Sequence, residues 1–127
     1  DRATGRGQEV GVINGFSNGA SFAAAMLCAG ETFGDVVRGY VIDDPVTDGA
    51  TAGCAPPPGI QRVLYWTSAV DQPAGTACSD IDWTCAGGVI VDVQTFADDL
   101  GTDVVQSPNT EHIWYREAPE VDAFLGT

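Results

Sequence analysis

Lysine is absent from this 127-residue chain, and five basic residues, all of them Arg, stand against 18 Asp and Glu. The formal net charge of -13 leaves no cationic footprint for nucleic-acid phosphates or for an anionic membrane surface. No apolar run approaches the ~20 residues of a bilayer span, and no internal repeat is visible. The chain has one His, and its four Cys, at 28, 54, 78 and 85, never show the two-residue spacing of a zinc knuckle or redox motif. No metal and no cofactor are therefore expected.

What is present suits a globular chain. Hydrophobic residues make up 44% and charged residues 18%, enough to bury a core and too apolar for general disorder. The length fits one domain, 1–127, with the polar, Gly-rich residues 1–8 expected to be flexible. An even Cys count in an acidic, Lys-free chain suits a secreted, disulfide-bonded protein. Four Cys allow three pairings. Cys28–Cys54 with Cys78–Cys85 is favoured, because the second pair brackets a short loop and the first then ties a helix end to a later loop.

Apolar runs mark Glu9 to Ile13, Val36 to Ile42, Arg62 to Thr67 and Asp103 to Gln106 as strands. The Val63-Leu64-Tyr65-Trp66 run is apolar throughout, as in parallel strands covered on both faces. Helical spacing is found in Ser21 to Cys28, Val89 to Leu100 and Pro119 to Leu125, with Gly30 and Gly101 as stops for the first two. Strands alternating with helices predict an α/β domain, a mostly parallel sheet of about four strands flanked by helices. Ligand sites in such sheets lie at the carboxyl ends of the strands.

Gly15-Phe16-Ser17-Asn18-Gly19 is a Gly-x-Ser-x-Gly sequence between a predicted strand and a small-residue helix, as a nucleophile elbow requires. Side chains at Gly15 and Gly19 are expected to collide across the turn. The helix N-terminus beneath Ser17 favours developing negative charge, and the Asn18 N–H is the expected oxyanion donor. His112 is the single imidazole and lies just after the last predicted strand. Its orienting acid is expected to be Asp71, beyond the carboxyl end of the third strand, with Asp43 and Asp44 as competitors. Phe16, Trp114 and Tyr115 are candidate pocket residues, Trp66 and Trp83 being further aromatics that either line it or pack in the core.

Val12 to Ala20 with Leu27-Cys28-Ala29, Cys54-Ala55-Pro56-Pro57-Pro58, Tyr65 to Asp71 and His112-Ile113-Trp114 together resemble the secreted polyhydroxybutyrate depolymerase and feruloyl/acetylxylan esterase group of α/β-hydrolases. The resemblance implies a truncated or miniature α/β-hydrolase that cleaves carboxylic esters with a Ser17, Asp71, His112 triad through an acyl-enzyme. It departs from the group at Tyr65-Trp66-Thr67-Ser68, where a His-Gly is usual, and at Tyr115-Arg116, where Pro-Gly is usual. The group's amino-terminal half, with its second oxyanion donor, has no counterpart. The chain then reads as a natural miniature or as a fragment whose first strand is an open edge, inviting a homodimer. A non-catalytic hydrolase relic serving as a binding or assembly module is the alternative.

Overall fold

The computed structural model describes residues 11–80 and 88–124. The four apolar runs become strands β1 (Gly11–Phe16), β2 (Val37–Asp43), β3 (Gln61–Trp66) and β4 (Val104–Gln106). They pair in the order β1-β2-β3-β4, every pairing parallel. The chain is a small α/β fold, with helices α1 (Asn18–Cys28), α2 (Val93–Leu100) and α3 (Glu120–Phe124).

Side chains alternate between the two faces of a strand, so each strand feeds two apolar layers. On one face, Tyr40, Ile42 and Leu64 pack with Ala20, Ala23, Ala24 and Leu27 of α1 and Phe96, Ala97 and Leu100 of α2. Alanines let α1 lie close to the sheet. On the other face, Val41, Val63 and Tyr65 meet Ala118 and Phe124, with Val12, Tyr115 and Val121 around them. Gly39 makes room there: a Cβ would sit 2.4 Å from the Phe124 ring. The inner strands β2 and β3 are largely buried, whereas every residue of edge strand β1 is half-buried.

Element ends differ from the sequence expectation for local reasons. The first helix begins at Asn18 rather than Ser21, because the elbow itself starts it. The second begins at Val93 rather than Val89: Asp92 caps it by accepting the Thr95 N–H at 3.0 Å, while Val89 is bridged to Ala77. Gly101 closes α2 in the left-handed conformation, φ 71°. Residues 1–8, Trp83 and Leu125, all given roles above, lie outside the described residues.

Cys28 and Cys54 are disulfide-bonded and tie the end of α1 to the loop before β3. Cys78 is also in a disulfide; Cys85, its expected partner, lies outside the described residues. An intramolecular disulfide is compatible with an extracellular location. Among the described residues no helix is long and apolar enough to cross a membrane.

Candidate active site

The turn from β1 into α1 holds Ser17 at φ 59° and ψ -122°, a conformation that L side chains rarely adopt. Three backbone bonds clamp it. The Ser17 N–H donates to the Asp43 carbonyl at 3.1 Å, and the Ser17 carbonyl accepts the Ala20 and Ser21 N–H groups at 3.0 and 3.1 Å. Gly15 makes the tight turn possible, since a Cβ there would lie 2.4 Å from the Gly19 carbonyl oxygen. Gly19 is different: nothing lies within 4 Å of its would-be Cβ, so the expected collision at that position does not occur.

The Ser17 side chain does not cap α1. It faces His112, whose Nε2 lies 3.0 Å from Ser17 Oγ. The other ring nitrogen, Nδ1, is 2.5 Å from Asp44 Oδ2. An ionised carboxylate only accepts, so Nδ1 donates to Asp44 and Nε2 is left to accept the Ser17 hydroxyl proton. Asp44 is 2% exposed and doubly held from β3, with Oδ1 accepting the Thr67 N–H at 2.9 Å and Oδ2 the Thr67 hydroxyl at 2.7 Å. The Phe16 ring lies 4.6 Å, centroid to centroid, from the imidazole.

Ser17 and His112 are thus brought together as the sequence reading expects, but the carboxylate paired with His112 is Asp44, not Asp71. Strand order is the reason. Neighbouring strands lie about 5 Å apart, and β2 is the immediate neighbour of β1, which leads into Ser17, so a carboxylate at its end reaches the imidazole beside Ser17. Asp71 follows β3, a further strand away, on an exposed loop. Thr67, which fixes Asp44, is a site residue that the sequence reading missed; its signal is a hydroxyl just past the end of the strand flanking β2.

Asp43 anchors the histidine loop by accepting the Tyr115 N–H at 2.6 Å. Burial, the largest influence, pushes its carboxyl above the usual carboxylate range; the Tyr115 N–H opposes this, the Asp44 charge adds to it, and His112 opposes it. Tyr65, edge-on to Tyr115 at 5.0 Å, hydrogen-bonds Glu120, and burial with that bond raises its phenol well above the ordinary value.

The N–H groups of the first helical turn have no acceptor within a helix, so the Asn18 N–H is available beside Ser17. Trp114 and Tyr115 line an open cleft of about 590 Å³ with Asn109, Arg116 and Glu117. Trp114 is 45% exposed, with the Arg116 guanidinium 5.6 Å from its ring centroid. Phe16 packs on the imidazole instead, and Trp66 packs with the apolar layer under α1 and α2. No protein-family model matches the chain, and neither the curated proteins nor the solved structures contain a match to it.

Proposed function

We propose that the chain is a serine carboxylic-ester hydrolase of α/β-hydrolase type. The observation that carries this reading is the continuous Ser17–His112–Asp44 hydrogen-bonded chain on a strained strand-to-helix turn. Ser17 Oγ attacks the ester carbonyl carbon as His112 Nε2 takes its proton. Asp44 holds the imidazolium that forms. The Asn18 N–H and the positive end of α1 stabilise the oxyanion. As the tetrahedral intermediate collapses, His112 returns the proton to the leaving alcohol. Water, deprotonated by the same nitrogen, then releases the acid from Ser17.

The acyl or alcohol group would lie along Trp114 and Tyr115, in the cleft they line with Asn109, Arg116 and Glu117. Disulfide bonding fits a secreted enzyme. A second copy pairing along the edge of β1 that no other described strand occupies belongs to the same reading, because no charge or proline blocks that edge between Gly11 and Phe16. Light scattering that finds only monomer at high concentration contradicts the pairing.

The relic reading draws on one observation: Asn18 is a single assigned oxyanion donor, and loss of one such donor costs about 10²–10³ in rate. Hydrolysis of p-nitrophenyl acetate and butyrate beside Ser17→Ala separates the two. An esterase loses at least about 10³-fold in the variant; equal slow rates in both favour the relic.

A further inference from the structure

Behind the triad lies a carboxyl that the reaction does not use. Asp43 ends β2 and is fully buried. Its Oδ2 accepts the Tyr115 N–H, but its Oδ1 has no hydrogen-bond partner among the described residues. Asn14 on β1 carries a second buried oxygen, Oδ1, in the same condition. Register relates the two. Asn14 pairs with Val41 and Phe16 with Asp43. Val12 and Val41 share the apolar layer against α3, so alternation turns Asn14 and Asp43 to that same face. They are diagonal neighbours on adjacent parallel strands, one pair of residues apart along the strand direction. Two buried acceptors on one face of neighbouring strands each forfeit a hydrogen bond, and a proton on one, shared with the other, satisfies both.

We propose that Asp43 holds a proton on Oδ1 and donates it to Oδ1 of Asn14, making Asp43 a neutral positioning residue that ties the His112 loop to the nucleophile strand. The surroundings favour this. Between Gly11 and Phe16, β1 offers no charged group to compensate a carboxylate. The next residue, Asp44, is the acid bonded to His112, and a second charge beside it would be repelled. Among the described residues, the other titratable neighbours are Tyr65 on β3, Tyr115 and His112 in the loop after β4, and Glu120 on α3, which reaches the cluster through Tyr65. Burial raises the Asp43 carboxyl. A group raised in the folded state contributes stability that is complete below its unfolded value and is lost as pH rises through its folded value.

The proton itself does not depend on the esterase reading; its use in placing His112 does. The test is carbon-13 NMR of Asp-carboxyl-labelled protein at about pH 5, where ordinary Asp side chains are ionised. The expected result is one protonated carboxyl, assigned to Asp43 by its loss in Asp43→Asn. That variant keeps both bonds, its amide donating to Asn14 and its carbonyl accepting from Tyr115. Its Tm should match the parent near pH 4, about the unfolded Asp value, and fall less than the parent's by about pH 8. An ionised Asp43 at about pH 5 overturns the proposal and means that the Asn14 amide is turned so that Nδ2 donates. Parallel Tm profiles for parent and variant overturn it equally. Both readouts need no substrate, so a protonated Asp43 in a protein without ester turnover defeats the esterase reading alone.

Discussion

At Asp44 three hydrogen bonds converge on one buried carboxylate, two from Thr67 and one from His112. Replacing it with Asn keeps the shape but offers an amide where the imidazole needs an acceptor, so the wrong tautomer is held. Asp44→Asn should lower kcat by about 10⁴ with the fold retained, while Asp71→Asn should stay within about twofold of the parent. Steady-state kinetics on p-nitrophenyl butyrate with circular dichroism of both variants checks this; an equal effect of the two substitutions contradicts it. Ser17 and His112 were legible from sequence because a motif marks one and uniqueness marks the other. The acid was not, because choosing among Asp43, Asp44 and Asp71 needs the lateral order of strands, which no local pattern encodes.

The elbow is the element that joins fold to chemistry. Gly15→Ala drives a methyl into the Gly19 backbone and should cost about 3 kcal/mol or abolish folding. Gly19→Ala has open space and should fold normally. Urea unfolding of both separates the two glycines that the motif treats alike. At α2, two Thr95 bonds, one backbone and one side-chain, hold Asp92 below the ordinary carboxylate range. A lowered carboxyl contributes stability that is present above its unfolded value and disappears as pH falls through its folded value. Asp92→Ala should therefore lower Tm at neutral pH and leave Tm unchanged at strongly acidic pH. The strands were readable as apolar runs because both faces of β2 and β3 are covered. The start of α2 was not, since Val89 and Ile90 carry a helical pattern but are used in a bridge to Ala77 and in backbone bonds to Gly75 and Thr76.

Across the whole molecule, a sheet with both faces covered is held by thin layers and a covalent tie. Cys28–Cys54 closes a loop of 26 residues, for which chain entropy gives about 3–4 kcal/mol. The double variant Cys28→Ala/Cys54→Ala should lose a stability of that order in denaturant titrations, and an unchanged midpoint contradicts the tie. The parallel α/β architecture and this pairing were both legible from sequence, one from alternation and the other from Cys positions.

The most direct measurement of the central claim is intact mass after treatment with a fluorophosphonate, which phosphonylates only a serine activated by a base. The triad predicts one adduct per chain, mapped to Ser17, and its loss in His112→Ala. No adduct on the folded parent, or an adduct that persists in His112→Ala, contradicts the account.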